Sequence, residues 1–271
     1  MTGYIDETGG EHVLARYDTA LREYRQQANR RGEARVLIKR GLFLRRVDDP
    51  EAASRDFEQA RAVGQSIGEH KLEAAALDYL GAARRDRGDL AGAIRCSEEA
   101  LELWRELGDR TAEAVCLNFL GLAYRRVPDG QRAIQSFSQA RVIYAELGDL
   151  AGEASALDNI GAIYSDAGQH SRALDFFSAG FARWSLTSNV NGTLTCLWNV
   201  GATYERLGRG EEAVAEYERG AALARSAADE RAEERFLKRA VEACNEFRLE
   251  DEGNRLMGQV LALWASRPGG G

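Results

Sequence analysis

The sequence predicts an all-α array of six helical hairpins, each built from 40 residues. Five glycines recur at this spacing without an insertion, and a leucine precedes each glycine by four residues. Only 3 prolines interrupt the 271 residues, and so few prolines in a chain rich in Ala, Leu, Glu and Arg favour helix throughout. The sixth copy keeps the leucine and has Val241 in place of glycine. The glycines are Gly41, Gly81, Gly121, Gly161 and Gly201, and the leucines are Leu37, Leu77, Leu117, Leu157, Leu197 and Leu237.

Two helices are predicted in each copy. In the first helix, a tyrosine such as Tyr124 follows three residues after the glycine, so that Leu, Gly and Tyr share one face. In the second helix, Ala133, Phe137 and Ala140 share one face in the same way. Small residues on both helices let the two backbones approach, and the ring fills the space between them. Gly-Asp pairs such as Gly88-Asp89 are typical of the turns that separate the helices.

The motif Leu120-Gly121-x-x-Tyr124, followed by Ala133-x-x-x-Phe137-x-x-Ala140, resembles the tetratricopeptide repeat. The usual unit of that family has about 34 residues. The longer unit of this chain is similar to those of kinesin light chains, spindle-orientation adaptors and bacterial regulators. The resemblance implies a right-handed α-α superhelical solenoid of about six hairpins. We expect the additional residues to lengthen the second helix of each copy by about two turns.

The repeat phase also predicts the domain boundaries. Residues 1–10 are expected to be a disordered tail, residues 11–28 an N-terminal capping helix, and residues 267–271 a second tail. The capping helix is inferred because Ala20 continues the 40-residue phase of the second helices. The solenoid is predicted over residues 29–266, with repeats at about 31–68, 71–108, 111–148, 151–188, 191–228 and 231–266.

Composition excludes several classes of function. The net charge of −7 disfavours general binding to nucleic acid, which requires a basic surface. The apolar runs are too short to cross a bilayer, and residues 1–10 are polar, unlike a secretory signal. We therefore expect a cytoplasmic protein that binds neither nucleic acid nor membrane. The cysteines lack a C-x-x-C spacing and are predicted to be reduced core residues: Cys96, Cys116, Cys196 and Cys244.

The sequence lacks the common catalytic and cofactor-binding motifs. The sequence contains no phosphate-binding Gly-rich loop with Lys and Ser or Thr, no H-E-x-x-H and no G-x-S-x-G. The three histidines, His12, His70 and His170, are far apart in sequence and suggest no metal site. We therefore predict a protein that is not an enzyme and holds neither a cofactor nor a metal.

Arginines form the first set of candidate binding residues. By the resemblance, the first helix of each repeat lines a concave groove that receives extended peptides or helices. Arg45, Arg85 and Arg125 occupy one phase of the first three copies. Because guanidinium groups bind carboxylates through two hydrogen bonds, an acidic segment or a C-terminal carboxylate is the expected partner. The alternative is that these arginines pair with neighbouring acids such as Asp86.

Polar residues and one tryptophan form the second set. The amide and carboxyl groups of this set are suited to bonding a peptide main chain. The resemblance implies this role for an asparagine two residues before the glycine, and the alternative is that the asparagines bond the adjacent turn or water. Trp198 is a candidate anchor for an apolar side chain, and the alternative is packing between helices. The polar residues are Asn118, Asp158, Asn159 and Asn199.

The sequence therefore predicts a non-enzymatic scaffold or adaptor that binds a peptide segment or partner protein. The alternative is a ligand-sensing or peptide-sensing regulatory module that acts on a separate effector protein. A third hypothesis is an enzyme whose helical array holds a closed pocket. Trp104, Trp184 and Trp264 share one phase at 80-residue spacing and are expected to stabilise the ends of second helices. Self-association is expected through an apolar stripe in the last repeat, formed by Val260, Leu261, Leu263 and Trp264.

Overall fold

Helices account for nearly all of the structure, a computed structural model that describes residues 7–127 and 129–265. This part of the chain forms helical hairpins and contains no strand, so the predicted all-α repeat fold is confirmed. The helices are α1 (Glu7–Gln26), α2 (Arg30–Arg46), α3 (Pro50–Ser66), α4 (His70–Asp86), α5 (Leu90–Glu106), α6 (Arg110–Arg126), α7 (Gly130–Leu147), α8 (Leu150–Asp166), α9 (His170–Trp184), α10 (Val190–Arg206), α11 (Gly210–Ser226), α12 (Glu230–Phe247) and α13 (Glu250–Ala265).

The chain ends differ in part from the predicted boundaries. Helix α1 begins at Glu7, before the expected start of the capping helix at residue 11. Residues 7–10, which were assigned to a disordered tail, therefore belong to a helix. The remainder of that tail, residues 1–6, and the tail at 267–271 lie outside the described residues.

Helix lengths correct one expectation. Both helices have 17 residues in three of the six repeats, as in α4 and α5, and in the other three they differ by one or two residues, so the second helix is not longer by two turns. The physical reason is that stop and start signals recur every 20 residues, twice in each repeat. The additional length is thus divided equally between the two helices.

Most connections contain a left-handed residue, and several also carry a side-chain cap on the next helix. After α2, the N–H of Asp49 donates to Leu44 O at 2.9 Å and the N–H of Asp48 donates to Arg45 O, which is the Schellman arrangement. Asp49 then caps α3 by accepting a hydrogen bond from the Ala52 N–H at 2.9 Å. Ten connections contain a residue with positive φ: Ala28, Asp48, Gly68, Gly88, Gly108, Gly148, Gly168, Gly208, Ala228 and Arg248.

The predicted packing of glycine against an aromatic ring holds the hairpins together. A Cβ atom added to Gly121 would lie 2.8 Å from the ring of Phe137, which is fully buried. The same contact recurs in other copies, and it explains why the repeat requires glycine at a mid-helix position despite its low helix propensity. The other pairs are Gly41 with Phe57, Gly161 with Phe177, and Gly201 with Tyr217.

Helix α1 covers the start of the array. Leu21 of α1 is buried in a cluster with Leu37. Arg40, which departs from the apolar pattern of its phase, forms two hydrogen bonds with Asp56 at 2.6 and 2.7 Å and also bonds Asp18 of α1. A buried ion pair therefore replaces the apolar contact made at this phase in other copies.

The fold consists of two compact units, which divide after Ile143 within α7. Each unit is an array of helical hairpins. Across residues 7–127 and 129–265, none of the helices combines the length and apolar character that a bilayer crossing requires.

Candidate binding surfaces

A group of charged residues on the first helices of the first unit is the first candidate surface. We call Arg45, Arg85, Asp86 and Arg126 the basic cluster. Arg45 Nε lies 2.7 Å from Asp86 Oδ2, so α2 and α4 are joined by an ion pair. Arg85 Nη2 lies 3.7 Å from Asp86 Oδ1. Arg45 and Arg85 therefore both lie beside the carboxylate of Asp86, which agrees with the alternative that these arginines pair with neighbouring acids.

The basic cluster carries more positive than negative charge. Burial, together with the charges of Arg45 and Arg126, lowers the pKa of Arg85, whereas Asp86 acts in the opposite direction. Arg85 thus lies near two other guanidinium groups and one carboxylate, and like charges held together attract an additional anion. Arg125, the third predicted arginine, is exposed at the end of α6.

Two of the four predicted polar residues, Asp158 and Asn159, form side-chain hydrogen bonds within the fold. Asn159 Nδ2 donates to Ser155 O at 3.0 Å, one turn earlier in α8, as its alternative interpretation proposed. Asn199 is half-buried in α10. Asn118 is half-buried in α6, and its Oδ1 atom is buried without a hydrogen-bond partner among the described residues. That the arginines, Trp198 and the asparagines line one surface stays a prediction.

Asp158 is part of a bond that recurs 80 residues apart. Trp184 Nε1 donates to Asp158 Oδ2 at 2.7 Å, and Trp104 Nε1 donates to Asp78 Oδ2 at the same distance. Both tryptophans are buried, and each joins the second helix that carries it to the first helix of the same repeat. Their role in stabilising the ends of second helices stays a prediction. Burial raises the pKa of Asp78 and of Asp158 to about 6, and the indole hydrogen bond only partly offsets that effect.

These two aspartates predict a pH dependence of stability. Because the folded-state pKa of about 6 exceeds the usual value near 4, each carboxyl group favours folding most below pH 4, where both states are protonated. That contribution is lost as the pH rises through 6. Asp78→Asn and Asp158→Asn keep an acceptor for the indole and remove the charge. We expect each to raise the free energy of unfolding by about 1 to 2 kcal/mol at pH 8 and to change it little at pH 4.

Urea denaturation at a series of pH values measures this effect. Asp175→Asn is the matched control, because Asp175 is exposed on α9 and its substitution removes the same negative charge. If the free energy of unfolding of both buried variants depended on pH as it does in the unchanged protein, the raised pKa values of Asp78 and Asp158 would be contradicted.

A cavity of about 410 Å³ in the second unit contains the predicted tryptophan. Trp198 and Glu205 reach it from α10, Tyr217 from α11 and Arg239 from α12, and Arg206 is also part of its wall. Trp198 packs against Tyr217 at 5.5 Å between ring centroids. We call this site the Trp198 cavity. Trp198 therefore both packs between helices and presents part of its surface to a cavity.

Sequence reasoning did not identify three of the polar residues in this cavity as functional. Arg239 Nη2 lies 2.5 Å from Glu205 Oε2, and Tyr217 is fully buried. The sequence did contain a sign of one of them, because Glu205 occupies the repeat position at which the first two copies have Arg45 and Arg85. Tyr217 likewise carries a hydroxyl group where three other copies have phenylalanine.

The apolar stripe of the last repeat is only partly exposed. Val260 is buried, whereas Leu261 is exposed. Trp264 Nε1 donates to Glu234 Oε1 at 2.9 Å, and the ammonium group of Lys238 lies 5.1 Å from the centre of its ring. The tryptophan of this stripe is thus bonded within its own repeat, and self-association remains a proposal.

Comparison with known proteins supports the repeat assignment. A family model described as tetratricopeptide repeat matches residues 72–146 and 152–226. Among solved structures, BtubC (BKLC) from P. vanneervenii is 20% identical, with a TM-score of 0.72 over 81% of this chain and 92% of that chain. RapI in its apo form is 15% identical, with a TM-score of 0.68 over 87% and 84% of the two chains. The apo form of the quorum sensor NprR from B. thuringiensis is 13% identical, with a TM-score of 0.59 over 94% and 85%. These identities establish likeness of fold, and no curated protein matches the sequence.

Proposed function

Because this chain belongs to the tetratricopeptide repeat family, we propose that it is a non-enzymatic scaffold or adaptor that binds an acidic segment of a partner protein. The partner contacts the first helices of the first unit, and the protein acts in the cytoplasm. Proteins of this architecture present a large surface of stacked helices, which suits recognition of another chain.

The basic cluster is the observation that carries this proposal. Arg85 is held near two other guanidinium groups, and the single carboxylate of Asp86 leaves the group with net positive charge. An acidic peptide segment complements this charge and forms charge-assisted hydrogen bonds with the guanidinium groups. Arg125 adds a further positive charge in the same phase, on the next first helix.

The test is recovery of a partner by the full chain from extracts of the cells that express it. We expect the double variant Arg85→Glu with Arg125→Glu to lose at least 10-fold in recovery, since it replaces two attractive charges by repulsive ones. The same interaction of the unchanged protein is expected to weaken as salt is raised.

The control variant is Arg55→Glu with Arg95→Glu. These two arginines are exposed on the second helices α3 and α5 of the same unit, and the change of charge is identical. Equal recovery by both double variants and the unchanged protein would refute the assignment of this surface.

A second candidate function is a sensor of a peptide or small ligand that acts on a separate effector. The Trp198 cavity favours it, because a concave site with an aromatic wall and a few polar groups is typical of ligand binding. NprR, which shares the fold, is itself described as a quorum sensor. A ligand-dependent rise in melting temperature distinguishes the sensor from a scaffold that recognises only large partners.

A further inference from the structure

A polar contact between neighbouring first helices recurs in both units. It joins the residue four places after the repeat glycine in one copy to the residue five places after the glycine in the next. Arg45 of α2 lies 2.7 Å from Asp86 of α4 in this way, and Arg206 of α10 donates to Ser165 of α8 at 2.6 Å. In each of these pairs, one residue is an arginine and the other accepts its hydrogen bond.

The same two positions hold two arginines between the second and third copies. They are Arg85 of α4 and Arg126 of α6. Burial and the positive charges of Arg45 and Arg126 lower the pKa of Arg85, as expected when like charges lie close together. The Arg85 side chain is 17% exposed and Arg126 is exposed, so a ligand can reach both guanidinium groups.

The acid beside these two arginines is already engaged. Asp86 lies 2.7 Å from Arg45, whereas its shortest distance to Arg85 is 3.7 Å. Over residues 7–127 and 129–265, Arg126 pairs with no acid. The contact between the second and third copies therefore lacks the acceptor that Arg45 has in Asp86.

A second pair of like charges in this chain shows the contrast. The equivalent positions of the fifth and sixth copies hold Glu205 and Glu246. Arg239 Nη2 lies 2.5 Å from Glu205 Oε2, so that pair has a counter-ion within the fold. Arg85 and Arg126 have no such counter-ion of their own, which indicates that one is supplied from outside.

The charge of the basic cluster selects the ligand. Three guanidinium groups face one carboxylate in this cluster, so two negative charges are needed to balance it. A carboxylate supplies one charge, whereas a phosphate monoester supplies nearly two at neutral pH, together with three acceptor oxygens for the guanidinium forks. We propose that Arg85 and Arg126 bind a phosphorylated side chain of the partner protein, with Arg45 and Asp86 holding Arg85 in place.

This inference rests on the proposed function and narrows the acidic segment to one that carries a phosphate group. Treatment of the cell extract with a phosphatase is expected to reduce recovery of the partner at least 10-fold. Recovery that needs the arginines but survives the phosphatase would leave the proposed function standing and overturn this inference.

The direct test requires no knowledge of the partner. It uses three acetylated and amidated tripeptides, in which two glycines flank phosphoserine, glutamate or serine. Binding to the full chain is followed by the arginine Nε–H resonances in NMR spectra, with the Arg126 signal assigned by its loss in Arg126→Gln. We expect the phosphoserine peptide to shift this signal at millimolar concentration, the glutamate peptide to bind at least 10-fold more weakly, and the serine peptide not to bind. Inorganic phosphate is titrated in the same way, to tell a phosphorylated side chain from the free ion.

Arg126→Gln is the decisive variant. It removes one of two like charges, so we expect the melting temperature to stay unchanged or to rise, and binding of the phosphoserine peptide to weaken at least 10-fold. Arg95→Gln is the control, because Arg95 is exposed on the second helix α5 of the same unit and its substitution removes the same charge. The control should bind the phosphoserine peptide normally.

Three further results would overturn the proposal. The first is that the phosphoserine peptide does not shift the Arg126 signal. The second is that the glutamate peptide or inorganic phosphate binds as tightly as the phosphoserine peptide. The third is that Arg126→Gln binds this peptide normally or lowers the melting temperature by several degrees, which would mean that Arg126 serves to stabilise the C-terminal end of α6.

Discussion

Phe236→Ala is expected to lower the free energy of unfolding by about 3 to 5 kcal/mol, which is the usual cost of removing a buried ring. Phe236 is fully buried, and its ring lies 5.4 Å from that of Trp198 in an edge-on arrangement. It also lies 6.4 Å from Tyr217, so the substitution opens a void beside two large aromatic side chains. Urea denaturation of the full chain, followed by circular dichroism, measures the effect.

Phe176→Ala is the matched control for this prediction. Phe176 belongs to the same unit and stacks on Tyr164 at 5.3 Å, but it is only half-buried. We expect its loss to cost less than half as much as that of Phe236, because less apolar surface returns to water. Similar losses in the two variants would mean that Phe236 is not a centre of the core.

Gly121→Ala is expected to cost about 2 to 3 kcal/mol, although alanine normally stabilises a helix by about 1 kcal/mol relative to glycine. The added Cβ would lie within 2.9 Å of three atoms of the Phe137 ring. Because Phe137 is fully buried, the ring cannot move away without displacing its neighbours. The melting temperature and the urea midpoint should both fall.

Gly81→Ala supplies the control within the same unit. Ser97 replaces the ring in this copy, and the nearest atoms to an added Cβ are Ala93 O and Ser97 Oγ at 3.2 Å. We expect a change of less than about 1 kcal/mol, since the gain in helix propensity offsets the tighter contact. The double variant Gly121→Ala with Phe137→Leu should recover part of the loss. Equal losses at Gly81 and Gly121 would contradict the ring contact as the cause.

The helices and the contacts between them were largely predictable because the same residue pattern recurs in each repeat. The Gly121 and Phe137 contact follows from small and large residues that recur at fixed spacing. Helix length was mispredicted, because the 40-residue spacing of glycine conceals stop signals every 20 residues. Phe236 was missed for another reason: its phase holds Cys or Ala in neighbouring copies, and the ring fits only because Gly220 removes a side chain opposite it.

The candidate sites were less predictable, because partners of polar groups depend on which helices meet. The pairing of Arg45 with Asp86 was foreseen only as an alternative. The bond from Trp184 to Asp158 joins residues 26 positions apart, which no single-helix periodicity reveals. Trp198 was identified, whereas Glu205 and Tyr217 drew attention only when the structure placed both in the wall of one cavity.

The distribution of left-handed residues has a consequence for how the chain opens. Glycine supplies this conformation in six connections between α3 and α11, whereas Ala28 and Asp48 supply it on either side of α2, and Ala228 and Arg248 on either side of α12. Each of these four side chains adds about 1 kcal/mol of backbone strain that glycine avoids. We therefore expect the hairpins joined by these four residues to open locally at a lower free energy than the hairpins joined by glycine. Amide protons of α2 and α12 should accordingly exchange with solvent faster than those of α4 and α8.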